Sequence, residues 1–276
     1  MRQSFCTIVL ALFCLGIAGA RSPHVDHQAA EALWEQAVAA KGGRERLAAI
    51  QSFAIQERTE FGRLMLGDVA AGKVSQVVCV LPDGWWEFLD YRPGKMGYSV
   101  LAANAQTGLG WSTHGGPAGP LLRRYTGLAY RVRQLQYVYF LETRAVRPTP
   151  IRASTVKRGF ATVDRVETML EDDLVVFDLD VKTHLPIRIE TSRKNTLPPP
   201  RPGMTPPGAM RFVFELDRYS EVAGIQVPGR VKLGGDAADA RVEINPEYDA
   251  SIFTTPPSPD ATIDSWRGRT ADRRFQ

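Results

Sequence analysis

"FDLDVKTHLPIRIE", residues 177–190, sets apolar Phe177 and Leu179 against Asp178 and Asp180, breaks into a polar turn, and resumes with Ile187 and Ile189 against Arg188 and Glu190. A period of two sends successive side chains to opposite faces of a strand, so each half predicts a sheet with one dry and one wet face. Pro186 has no amide hydrogen to give to a ladder and suits the first position of the returning strand. Asp180 and Thr183 can bond to turn backbone. The stretch is a hairpin built from scaffold residues, with no catalytic group among them.

The pattern recurs along the chain. FAIQERTEFG (53–62), KVSQVVCVLP (73–82), WWEFLDY (85–91), YSVLAAN (98–104), LQYVYFLETRA (135–145), VDRVETML (163–170), LVVFDLDV (174–181), LPIRIETS (185–192), MRFVFELDRYS (210–220), IQVPGRVKL (225–233) and DARVEINP (239–246) share its character. All are short, rich in β-branched or aromatic residues, and bounded by Gly, Pro, Asn or Asp. About eleven strands with no strong helical pattern between them predict an antiparallel meander over βαβ units. Only Pro120 to Gln136 has room for a further helix. Ahead of the strands, a linker (Arg21 to Gln28) leads into AAEALWEQAVAAKGG (29–43), where Ala30, Leu33, Trp34, Ala37 and Val38 fall on one helical face. Gly42 and Gly43 mark its end.

The N-terminus predicts export. Arg2 is the sole charge of the first twenty residues, Ile8 to Ile17 is apolar, and Ala18-Gly19-Ala20 is a small-x-small cleavage signal. Cleavage after Ala20 places the protein in the periplasm and removes Cys6 and Cys14, leaving Cys79 alone and without an internal disulfide partner. The leader takes one arginine with it, so the formal charge falls from +4 to +3. That near balance gives no case for a nucleic-acid partner.

The hairpins taken together resemble the LolA-like periplasmic lipoprotein localisation factors. LPDGWWEFLDY, NAQTGLGW, FDLDVKTHLPIRIE, FELDRYSEVAGIQVPGRV and EINPEYDASIF are similar to successive hairpins of that superfamily. Asp180, Thr183, Leu185 and Pro186 match its Asp-x-x-Thr-x-x-Pro turn, and Tyr219, Gly224, Ile225 and Pro228 match the element that follows. The resemblance implies an α+β fold: a curved antiparallel sheet, an incomplete β-barrel, with N-terminal helices packed on its concave face. It also implies a non-catalytic carrier of acyl chains. The expected organisation is a signal peptide (1–20), one half-barrel domain (21–255) with a Pro-rich loop insertion (197–208), and a flexible C-terminal tail (256–276) in which Trp266 is a candidate anchor.

A curved sheet that does not close must cover its concave apolar face or leave it for a ligand. The candidate cavity residues are Trp34, Trp85, Trp86, Phe88, Tyr98, Trp111, Tyr137 and Tyr139, although ordinary core packing also accounts for aromatics of this kind. Trp85 and Trp86 are adjacent on a strand, so they face opposite ways. Residues 121–160 carry nine basic groups against Glu142, and residues 161–180 carry seven acids against Arg165. Neighbouring strands can neutralise such segments; otherwise Arg123, Arg124, Arg131 and Arg133 form a basic rim for anionic head groups.

Catalytic and metal signals are poor, and no cofactor is expected. His24 and His27 have ligand spacing but only Asp26 for company. STVK (154–157) imitates Ser-x-x-Lys without a companion motif, and HGGPAG (114–119) is similar to an oxyanion loop without Gly-x-Ser-x-Gly. The expected function is a monomeric, non-catalytic binder or carrier of a lipid, lipoprotein or other hydrophobic ligand in the cell envelope. Its partners would be acyl chains and a membrane or envelope protein. The alternatives are an envelope sensor or structural protein that binds a protein partner through the same sheet, and a hydrolase using Ser154, Lys157 or His114.

Overall fold

The computed structural model describes residues 23–59, 73–90, 97–104, 110–114, 119–120, 128–193, 210–234, 236–258 and 260–267. The signal peptide, the Pro-rich insertion, Arg123 and Arg124 lie outside the described residues.

Helices α1 (Pro23–Lys41) and α2 (Arg44–Ala48) precede β1 (Ser52–Thr59), β2 (Lys73–Val80), β3 (Gly84–Asp90), β4 (Tyr98–Asn104), β5 (Gly110–His114) and β6 (Gly119–Pro120). Helix α3 (Leu128–Phe140) follows. The chain then runs through β7 (Thr149–Arg158), β8 (Ala161–Leu170), β9 (Asp173–Asp180), β10 (Pro186–Arg193), β11 (Met210–Val222), β12 (Ile225–Leu233) and β13 (Asp236–Ile244). The strands form one sheet in the order β6-β5-β4-β3-β2-β1-β13-β12-β11-β10-β9-β8-β7. It is two antiparallel meanders joined where the first strand pairs with the last, as Phe53 opposite Ile244 and Ile55 opposite Val242.

Two expectations fail, each for a physical reason. LQYVYFLETRA (135–145) is not a strand: its first half is the last two turns of α3. Tyr137, Tyr139 and Phe140 carry strand propensity, but here the sheet surrounds them and they are buried as a helix. Leu128, Val132 and Tyr139 keep helical spacing along the same element. The linker expected at 21–28 is helical from Pro23, a residue whose fixed φ suits a first helical turn. Strand β7 lacks the alternation of the other strands because it is an edge strand, exposed along most of its length.

Helix α3 fixes the curvature. Its Arg131 reaches Glu87 on β3 at 3.0 Å. Tyr137 meets Phe177 on β9 with ring centroids 6.4 Å apart. Those strands lie seven ladder steps apart in the sheet order, about 34 Å if the sheet were flat. A helix with its side chains is only about 10–12 Å across, so the sheet bends around it. Helix α1 covers β7 and β8 beside it, where Ala30 and Ala37 permit close approach and Trp34 sets its edge on Phe177 at 5.0 Å. The end of α1 is jammed against the β11–β12 turn. A side chain at Gly42 (φ +125°) would meet the carbonyl oxygen of Gly224 at 2.4 Å.

The opening hairpin folds as its residues dictate. Asp180 Oδ1 accepts from the backbone of Lys182 (3.0 Å) and Thr183 (2.8 Å) and from the Thr183 hydroxyl (3.1 Å). The Tyr219 hydroxyl donates to the carbonyl of Pro186 at 2.6 Å. The Thr183 N–H leads the bonds that hold the Asp180 carboxyl below the usual carboxylate range. Its contribution is therefore complete above the ordinary Asp pKa and is lost as pH falls through the depressed value. Asp180→Ala is expected to cost about 1 kcal/mol at neutral pH, read as a lowered urea midpoint, with Asp180→Asn intermediate. An unchanged midpoint for the alanine variant refutes this role.

Charge is balanced locally, across strands and between α3 and the β8–β9 turn. Arg152 pairs with Glu167 at 2.5 Å, Arg133 with Glu171, and Arg158 and Arg165 with Asp178 at 3.0 and 2.7 Å. Burial pushes the Asp178 carboxyl up, and Arg165 and Arg158 outweigh that and hold it below its usual range.

Candidate functional site

The candidate site is the interior between the concave face and α3. The side chains that fill it come from both: Phe53, Ile55, Cys79, Trp85, Phe177, Ile189 and Phe214 from the sheet, with Leu128, Val132, Tyr137, Tyr139 and Phe140 from the helix. Phe53 and Phe140 meet edge to face at 5.0 Å. The hollow is thus occupied by the protein's own helices, α3 and, through Ala30, Trp34, Ala37 and Val38, α1.

Polar groups in this interior are few and distinctive. Lys41 is fully buried; its Nζ donates to the carbonyl of Tyr139 at 2.6 Å and lies 5.0 Å from the centre of the Tyr219 ring. Burial lowers its pKa to about 7. The Tyr139 hydroxyl donates to Glu57 at 2.7 Å, and burial first, then Glu57, pushes its phenol well up. The Trp85 indole N–H and the Tyr137 hydroxyl are buried without a hydrogen-bond partner. Burial, followed by the neighbouring Tyr130, raises the Tyr137 phenol. Burial also raises the Cys79 thiol, which makes it a poor nucleophile.

The eight aromatic candidates divide between two clusters. Trp34, Trp85, Tyr137 and Tyr139 belong to the interior. Trp86 and Phe88, buried, and Tyr98, partly buried, instead pack in a second cluster. Alternation along β3 sends Trp85 and Glu87 to one face and Trp86 and Phe88 to the other. The second cluster is covered by the C-terminal segment: Trp266 is fully buried and donates its indole N–H to Gln76 at 2.8 Å. Arg267 reaches Glu243 at 2.6 Å. The segment expected as a flexible tail is therefore held down as far as Arg267. Trp111 lies half-buried on β5, opposite Ala102.

Of the basic-rim candidates, Arg131 pairs with Glu87 and stacks over Trp85 at 5.0 Å, and Arg133 pairs with Glu171. Both arginines are paired within the chain but keep part of their side chains exposed. Ser154 and Lys157 lie three positions apart on β7, so they point to opposite faces of a strand and cannot act as a pair. His27 pairs with Glu31 at 3.3 Å. Among the described residues no group of three or more His, Cys, Asp and Glu side chains could hold a metal.

One cleft lies outside the interior, between α1 and the start of β7. It has a volume of about 340 Å³ and its walls include Glu31, Trp34, Glu35, Arg44, Glu142 and Arg147. Glu142, buried, accepts from Trp34 at 3.1 Å and from Arg44 at 2.6 Å. Pro148 and Pro150 join Trp34 in its lining, so charged and apolar groups alternate around it.

No protein-family model matches the chain, and no curated protein matches it. Two solved structures are similar to it over most of its length. One is a LolA superfamily protein from Nitrosomonas europaea, at 12% identity and a TM-score of 0.45, covering 82% of this chain and 97% of that one. The other is a domain described as an outer membrane lipoprotein-sorting protein from Vibrio parahaemolyticus, at 10% identity and a TM-score of 0.38, covering 84% and 97%.

Proposed function

We propose that the chain is an exported, non-catalytic carrier that takes up the acyl chain of a lipid or lipoprotein between the concave face of the sheet and α3. The observation that carries this reading is the interior itself. It is an apolar hollow in a sheet that does not close, filled by α3 and α1, and it holds a buried donor, Trp85 Nε1, with no acceptor. An unmade hydrogen bond of this kind costs about 1–3 kcal/mol. An acyl ester offers both an alkyl chain and a carbonyl acceptor. Each buried CH₂ contributes about 0.8 kcal/mol, and a long chain can offset the displacement of α3. Transfer follows a gradient of affinity between a donor and an acceptor in the envelope.

The test is native mass spectrometry of protein purified gently from its own compartment, joined to hydrogen exchange with and without an added diacyl lipopeptide. Recurrent acyl-bearing mass is expected, with faster exchange in α3 and unchanged exchange in β1 and β13. Protein recovered without acyl mass and failing to bind the lipopeptide removes the carrier reading. Binding that leaves the exchange of α3 unaltered removes the proposed place.

A further inference from the structure

The turn joining β7 to β8 stands apart from the rest of the surface. Lys157 to Thr162 are six consecutive exposed residues. At their centre Gly159 adopts φ +58°, and Phe160 is wholly exposed, with no part of the protein against it. Among the exposed large hydrophobic residues of the described chain, Phe160 is far the most exposed; the others range from 37% to 43%. Nothing in the fold requires an aromatic ring there, since a turn of this shape accepts small polar residues at less cost in exposed apolar area.

Its neighbourhood is basic. Arg158 pairs with Ala161, and Val163 on β8 pairs with Asp180 at the end of β9. The β7–β8 turn and the β9–β10 turn therefore lie side by side at one end of the sheet. The second turn presents Val181, 40% exposed, and the exposed Lys182. Two exposed lysines, Lys157 and Lys182, thus share these two turns with two exposed apolar side chains. Of the acids nearby, Asp178 is paired with Arg158, Arg165 and Arg188, while Asp180 accepts from its own turn and Asp164 from Thr155 at 3.0 Å.

We propose that this end of the sheet seats on a bilayer surface that contains anionic lipid. Phe160 enters the boundary between head groups and acyl chains, and Lys157 and Lys182 face the phosphates. An aromatic ring inserted at that depth with basic residues at the rim is the arrangement that interfacial anchoring requires. A lone projecting ring suits a soft lipid surface, whereas a protein partner would have to supply a fitted pocket. The inference is independent of the acyl-carrier reading: it concerns a surface outside the α3 interior.

The experiment is flotation of the full chain with phosphatidylcholine vesicles, with and without phosphatidylglycerol. Wild type is expected to float with the anionic vesicles and not with phosphatidylcholine alone. Phe160→Asp is expected to lose at least about tenfold in partitioning, and Lys157→Ala with Lys182→Ala about fivefold for each lysine. Salt at about 1 M is expected to weaken wild-type binding, because it shortens the screening length to about 3 Å. All these positions are exposed, so unchanged circular dichroism is expected of every variant. Wild-type partitioning by Phe160→Asp, equal binding to both vesicle types, or no binding to either overturns the proposal. Lipopeptide uptake by Phe160→Asp stays at the wild-type level, which separates failure here from failure of the carrier reading.

Discussion

Lys41→Met is expected to make the protein more stable at pH 6, by about 2 kcal/mol, and to lack the rise in stability expected of wild type between about pH 7 and pH 10.5. The amine of Lys41 is fully buried, and desolvation lowers its pKa from 10.5 to about 7. Below pH 7 it is charged in both states, and the folded protein bears the whole cost of burying that charge. Between pH 7 and 10.5 the unfolded chain binds a proton that the folded chain does not, so stability increases with pH, by at most about 1.4 kcal/mol per unit. Methionine keeps the length and apolar stem of the side chain. It gives up the 2.6 Å bond to the Tyr139 carbonyl, which is why the gain at pH 6 falls short of the full desolvation cost. By pH 10 the neutral amine keeps that bond without the charge, and the order of stabilities reverses. Urea unfolding of both proteins from pH 6 to pH 10 reads the difference directly. Parallel curves would mean that the amine is hydrated in the folded state.

Trp34→Ala is expected to lower stability by about 4 kcal/mol. The indole is 2% exposed and packs edge-on against Phe177. It also donates to the buried carboxylate of Glu142. Removing it opens a space under α1 and leaves Glu142 with Arg44 as its remaining hydrogen-bond donor. Trp34→Phe separates the two effects: it keeps most of the ring and loses the donor, and is expected to cost about 1–2 kcal/mol. A loss below about 1 kcal/mol for the alanine variant, by urea unfolding at pH 7, would show that α1 is not held to the sheet by this residue.

The two variants probe the same design, in which helices serve as the packing of a sheet that does not close on itself. Lys41 ties the end of α1 to the last turn of α3, and Trp34 ties α1 to β9 and to the segment after α3. An acyl chain entering beside α3 must work against these contacts, so both variants also bear on how readily the interior opens.

The amino-acid sequence by itself determined the hairpins, because a period of two and the turn chemistry of Asp180, Thr183 and Pro186 act between residues close along the chain. It determined the opposite facing of Trp85 and Trp86 for the same reason. The end of α1 at Gly42 was equally local, although the carbonyl of Gly224 that forbids a side chain there is distant in sequence. Tertiary structure alone decided that Tyr137, Tyr139 and Phe140 belong to a helix, since a segment buried on all sides shows neither a clean period of two nor a one-sided helical stripe. It alone decided which aromatics share the interior and which lie beneath Trp266, because that depends on a C-terminal segment crossing strands laid down much earlier. The buried amine of Lys41 and the bare ring of Phe160 were silent in the sequence for a single reason. A residue's burial is a property of everything that folds around it, and no local pattern records it.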